Sequence, residues 1–135
     1  MIDAPDAGRD GTAPRLRVLV VDDHLECVLS VGRLLQALGY RVGLAIDGRG
    51  ALECATEFRP QAALLDLSLP DLDGFGVAAR MREMPETRDT YLIAMTGWGT
   101  DEIRARVEAG GFDRHLVKPL SADVLTSALG AVRGP

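Results

Sequence analysis

Residues 62–74 read Ala62-Ala63-Leu64-Leu65-Asp66-Leu67-Ser68-Leu69-Pro70-Asp71-Leu72-Asp73-Gly74. Four apolar residues run directly into a carboxylate. A short, unbroken apolar run predicts a strand buried on both faces, as in a parallel sheet covered by helices. Asp66 then falls where the strand ends, and open α/β sheets bind ligands just beyond the carboxyl ends of their strands. Pro70 disfavours helix at Leu69, and residues 70–74 carry turn chemistry, with Asp71 and Asp73 read as turn formers.

Working outward, the same alternation repeats along the chain. Val18-Leu19-Val20-Val21 is a β-branched run that ends in Asp22-Asp23. Residues 24–39 follow at helical spacing, with His24 as a solvent-facing start and Gly39 as the stop. Residues 41–45 predict a second strand, Asp47-Gly48 a turn, and Ala51, Leu52, Ala55 and Phe58 a second helix. After the Asp66 strand, residues 76–82 predict a third helix. Residues 91–95 predict a fourth strand stopping at Thr96-Gly97, and residues 100–109 a fourth helix. Residues 115–117 predict a fifth strand running into Lys118-Pro119, and Ser121 caps a last helix. The expected fold is α/β, a doubly wound five-stranded parallel sheet with helices on both faces. Short connections give the strand order 2-1-3-4-5, with the switch point between strands 1 and 3.

Under that order Asp22, Asp23, Asp66, Thr96 and Lys118 all converge on one rim. Three close carboxylates need a counter-charge, and a hard divalent cation with oxygen ligands, Mg²⁺, supplies it. His24 is not required as a ligand, and nothing in the cluster suits zinc. Lys118 is the only lysine among fifteen Lys and Arg residues. Carboxylate, metal, lysine and threonine together suit phosphoryl chemistry: Asp66 attacks phosphorus, Lys118 and the metal clamp oxygens, and Thr96 donates a hydrogen bond.

Composition bounds the rest. The 135 residues allow one domain and one good core, and 47% apolar content excludes disorder for the bulk of the chain. A net charge of −5 argues against a nucleic-acid surface. Without an 18-residue apolar run or a signal peptide, a cytoplasmic protein is expected, with no membrane partner. Cys27 and Cys54 fall in helical patterns without metal-ligand spacing and are read as two buried thiols. Residues 1–14 have no period and are read as a flexible tail, leaving residues 15–133 as the domain.

The four motifs ending in Asp22-Asp23, Asp66, Thr96-Gly97 and Lys118-Pro119 resemble those of the bacterial two-component response-regulator receiver domain, over about residues 15–133. The resemblance implies a flavodoxin-like fold and a phosphoacceptor that takes a phosphoryl group from a histidine kinase or phosphotransfer protein and signals by protein–protein contact. By position it makes Asp66 the phosphoacceptor and Asp22 and Asp23 the metal pair. The Ser68 backbone carbonyl completes the metal shell, and Thr96 and Lys118 contact the phosphoryl group. Residues 110–119 are most similar to receivers attached to hybrid sensor kinases. His115 stands where the family usually has the Tyr or Phe of its switch, and Trp98 is bulky for a rim position linked to dephosphorylation. Met1 with its own tail, and a chain ending after the last helix, suit a stand-alone receiver, although a fragment of a hybrid kinase reads the same way. Two other readings use the same residues. One is a degenerate receiver serving as a binding scaffold. The other is a haloacid-dehalogenase-type phosphatase, which normally has an Asp-x-Asp pair after the first strand and a cap.

Overall fold

A computed structural model describes residues 2–3 and 16–132. Its strands are β1 (Ile2–Asp3), β2 (Arg17–Val21), β3 (Arg41–Ala45), β4 (Ala62–Asp66), β5 (Tyr91–Thr96) and β6 (Arg114–Val117). Between and after them run α1 (Leu25–Ala37), α2 (Gly48–Phe58), α3 (Gly74–Glu83), α4 (Asp101–Ala109) and α5 (Ala122–Leu129). The sheet order is β1-β3-β2-β4-β5-β6. The five strands β2 to β6 pair in parallel in the expected 2-1-3-4-5 order. The addition is β1, which pairs antiparallel along β3 through Ile2↔Leu44 and Asp3↔Gly43. Those two residues lie within the stretch 1–14 that the sequence reading takes as a flexible tail. The rest of that stretch lies outside the described residues.

The unbroken apolar runs are explained by two cores, one on each face of the sheet. Leu19, Val21, Ala63, Leu65, Leu92 and Ala94 face a core closed by α2, α3 and Val107 of α4. Val18, Val20, Leu64, Ile93 and Met95 face the other, closed by α1 and α5. Alternate residues along each strand point to opposite faces, so a strand covered on both sides must be apolar throughout. Leu64 and Leu65 are each wholly buried, and burying such a side chain contributes roughly 1.5–3 kcal/mol. Where the apolar run stops, Asp22 and Asp66 emerge at the ends of neighbouring strands.

Several expected turn residues prove to be caps. Asp47 accepts from Gly50 N at 2.6 Å, so Gly48 opens α2 instead of turning. Asp73 accepts from Gly76 N at 2.9 Å and starts α3 at Gly74, two residues before the expected start. Thr100 and Ser121 cap α4 and α5. Each cap satisfies an N–H that the first helical turn leaves unpaired. Cys54 is buried as expected, but Cys27 is exposed. It lies in the first turn of α1, where Val28 packs into the core while Leu25, Glu26 and Cys27 face outward.

Gly74 fixes the loop after Asp66 against its own strand. A Cβ there would lie 2.5 Å from the Asp66 carbonyl oxygen and 2.8 Å from Leu67 Cα. Both neighbours are backbone and cannot swing away. Gly74→Ala is therefore expected to destabilise the protein by about 1–3 kcal/mol, the usual range for overpacking. Urea unfolding checks this, and an unchanged midpoint would mean that the loop has slack.

Candidate functional site

The site forms at the carboxyl ends of β2, β4, β5 and β6. Asp22 is 2% exposed and Asp66 6%, so both carboxyls are withdrawn from water. Lys118, delivered by the end of β6, reaches between them. Its Nζ donates to Asp22 Oδ2 at 2.6 Å and to Asp66 Oδ2 at 3.1 Å. The other oxygen of each carboxyl is held by backbone. His24 N donates to Asp22 Oδ1 at 2.9 Å and Ser68 N to Asp66 Oδ1 at 3.0 Å.

These contacts divide the two carboxyls electrostatically. Burial works to raise the Asp22 carboxyl, but hydrogen bonds from Lys118 and His24 N, with the Lys118 charge, bring it below the ordinary range. Burial dominates at Asp66. The Ser68 and Lys118 contacts oppose it, the Asp22 charge adds to it, and the Asp66 carboxyl stays above the ordinary range. Burial would lower Lys118, but its two carboxylate partners outweigh this and hold the ammonium charged above its usual range. The sequence reading assigned the counter-charge to a metal. In this structure Lys118 supplies part of it.

The remaining expected residues are brought to the same rim. Asp23 is exposed beside Asp22. Thr96 is buried at the end of β5, where its Oγ1 accepts from Trp98 N at 3.2 Å. The Lys118 backbone N–H donates to the Thr96 carbonyl at 2.8 Å, tying those two strand ends together. The Trp98 ring is 74% exposed and stands out from the rim. His115, on the edge strand β6, is half-buried, and its Nε2 has no hydrogen-bond partner among the described residues. Burial, with a smaller contribution from the Arg104 charge, lowers the His115 imidazole below its usual range.

Two features escaped the sequence reading. His24 is exposed as expected, yet its ring turns back on the carboxylates, with Nδ1 3.2 Å from both Asp22 Oδ1 and Asp23 Oδ1. Donor atoms of Asp22, Asp23, His24 and Asp66 all lie within 4.8 Å of one another. Asp71 is more than a turn residue. It reaches across to α2, accepting from Gly48 N at 2.7 Å and Arg49 N at 3.0 Å. These bonds lower its carboxyl below the ordinary range. An aspartate adjoining a Pro-containing turn was the only signal for it, and the sequence could not show that the partner lay 23 residues away.

A cluster of hard carboxylate oxygens at this spacing fits a small divalent cation such as Mg²⁺. Fold and site together define an α/β module with an acidic pocket at the carboxyl ends of its central strands. The comparisons agree: residues 18–130 match the response regulator receiver domain. The chain belongs to this family. It is 38% identical over 121 residues to the transcriptional regulatory protein PrrA of Mycobacterium tuberculosis, covering 90% of this chain and 50% of PrrA. It thus spans about half the length of the curated relatives it matches. Among solved structures, the Vibrio cholerae chemotaxis protein CheY4 superposes with a TM-score of 0.84 at 30% identity, over 89% of this chain and 100% of that one. The receiver domain of sensor histidine kinase PA1611 from Pseudomonas aeruginosa, solved with magnesium coordinated in its active-site cleft, gives 0.76 at 29% identity, over 87% and 100%. The chain is thus a receiver domain of two-component signalling, and both regulators and a sensor kinase stand among its relatives. Among the described residues, no helix is long and apolar enough to cross a membrane.

The raised Asp66 carboxyl has a consequence for stability. A carboxyl easier to protonate in the folded state than in the unfolded one destabilises the fold once pH rises above its unfolded value. Asp66→Asn keeps the shape and an acceptor for Ser68 N while removing that charge. In metal-free buffer the variant is expected to melt above wild type near pH 7, with the difference shrinking towards pH 3, where the Asp66 carboxyl becomes protonated in the folded and unfolded states alike. Thermal melts across that range check it. A variant that melts lower at pH 7 would mean that attraction to Lys118 exceeds the burial penalty.

Proposed function

We propose that this chain is a phosphoacceptor: it takes a phosphoryl group onto Asp66 from a histidine kinase or phosphotransfer protein and signals through protein–protein contact. The observation that carries this reading is the Lys118 ammonium bridging Asp22 and Asp66 at the rim of the central strands. One Asp66 oxygen is held by Ser68 N and the other by Lys118. The carboxylate is thereby fixed in orientation, and the lysine is already placed beside the oxygen that would attack.

In the reaction, an Asp66 oxygen attacks phosphorus while the bond to the donor's imidazole nitrogen breaks, and the imidazole leaves as its proton is restored. Three phosphoryl oxygens must then be neutralised. Lys118 is free to turn from Asp66 to one of them as the carboxylate charge is consumed, keeping Asp22 as its second partner. The Thr96 hydroxyl has its proton available for another, because its oxygen is the acceptor of Trp98 N. Asp22, Asp23, Asp66 and the Ser68 carbonyl would hold Mg²⁺, which when bound neutralises charge on a transferring phosphoryl group. The product is a covalent signal on the protein, so the chain acts as a signalling module that assists its own phosphorylation and dephosphorylation, and is not a turnover enzyme. A cytoplasmic location suits such donors. We assign the switch to Thr96 and His115, which lie on neighbouring strands, His115 opposite Ala94 and Thr96 opposite Val117.

Asp66→Asn is expected to abolish labelling by acetyl phosphate with Mg²⁺, and labelling at the wild-type level in the variant would sink the assignment. Retained label in wild type separates this reading from a phosphatase, which would turn the donor over. Complete absence of label would leave the scaffold reading. For the switch, NMR titration of His115 with and without a beryllium fluoride phosphoryl mimic should give different midpoints, the unmodified protein titrating below the usual imidazole range. Superimposable curves would remove His115 from the switch.

A further inference from the structure

The placement of His24 has no part in the function proposed above. The residue is the N-cap of α1 but makes no side-chain capping bond. Its side chain is 72% exposed, so packing does not force the ring's direction. The ring nonetheless turns towards the carboxylates, and it meets them on the side away from the lysine. Lys118 takes Asp22 Oδ2, whereas His24 Nδ1 faces Asp22 Oδ1 and Asp23 Oδ1, 3.2 Å from each.

Those contacts are hydrogen-bond distances between the ring and the carboxylates, and they are also short enough for ligands that share one coordination shell. With bonds of about 2.1 Å, adjacent ligands of an octahedral ion lie about 3.0 Å apart and opposite ones about 4.2 Å. The four side chains have donor atoms within 4.8 Å of one another, so a small inward movement closes the shell. The His24 backbone N–H also bonds Asp22, which ties this residue's position to that of the carboxylate. The donor types matter as much as the distances. Three carboxylates suit Mg²⁺, Ca²⁺ or Mn²⁺, whereas an imidazole shifts a site towards Ni²⁺, Cu²⁺ and Zn²⁺.

We propose that His24 is a fourth side-chain ligand of the acidic site and that it sets which divalent ion the site prefers. Through Nδ1 it draws the site towards imidazole-seeking ions such as Ni²⁺ and Zn²⁺, relative to Mg²⁺. The inference rests on reading Asp22, Asp23 and Asp66 as a cation site. It revises the sequence-based expectation that His24 is not a ligand and that the cluster does not suit zinc. Its functional meaning is selectivity: the same pocket can hold different ions according to which is available.

Calorimetric titration of the intact chain with Mg²⁺ and with Ni²⁺ tests it. Because His24 makes no capping bond, His24→Ala should fold normally, which circular dichroism checks. The ratio of Ni²⁺ to Mg²⁺ affinity is expected to fall by about tenfold or more in His24→Ala. Cys27 is exposed on the next turn of α1 and is the obvious competitor, so Cys27→Ser should leave the ratio where it was. On Zn²⁺ addition to wild type, the His24 ring nitrogens should shift in ¹⁵N spectra while those of His115 stay in place. An unchanged ratio in His24→Ala, a ratio lost in Cys27→Ser, or unmoved His24 nitrogens would each overturn the proposal. If Mg²⁺ binds and the ratio does not change, His24 alone is excluded. If wild type takes up neither ion, the cation-site reading fails and His24 falls with it.

Discussion

The site depends on one ammonium shared by two buried carboxylates. Without Lys118, Asp22 and Asp66 would place two like charges side by side at the edge of an apolar core, where each loses hydration. With it, one carboxylate is held ionised and the other is left uneasy. The asymmetry follows from position. Asp22 receives the shorter lysine contact, while burial weighs more at Asp66.

The scaffold serves this contact through its strand ends. Lys118 is 96 residues from Asp22 and 52 from Asp66 in sequence, so only the sheet's topology can bring the three together. The crossover between β2 and β4 makes their ends neighbours, and β5 and β6 extend the same rim. Loops then fix the details. Gly74 presses against the Asp66 backbone, and Asp71 fastens the same loop to the start of α2.

Most of this was legible in the sequence because the signals are local and repeated. Apolar runs ending in Asp, Thr or Lys gave strands and their polar ends together, and the order of elements gave the sheet. What was not legible depended on side-chain direction or distant pairing. Asp73 and Asp47 read as turns because a cap and a turn use the same short acceptor side chain. Asp71 bonds to another helix, and His24 bends back over residues that precede it, both matters of rotamer. Cys27 follows the apolar pattern of α1, but only the packed helix shows that Val28 beside it takes the inward place while Cys27 faces out. The pairing of β1 along β3 rests on two residues, too few to show a period.

The doubly covered sheet has a further consequence for how the chain finds its alignment. In a sheet with one wet face, a strand that slips by a single residue turns its apolar side outward and is rejected at once. Here both faces are dry, and in β4 every residue up to Leu65 is apolar, so polarity alone does not reject a slip there. The first position that objects is Asp66. A slip that drew it inward would bury an unpaired carboxylate away from Lys118, and Asp22 polices β2 in the same way. The charged residues that line the pocket are thus also the stops that tell the central strands where to halt.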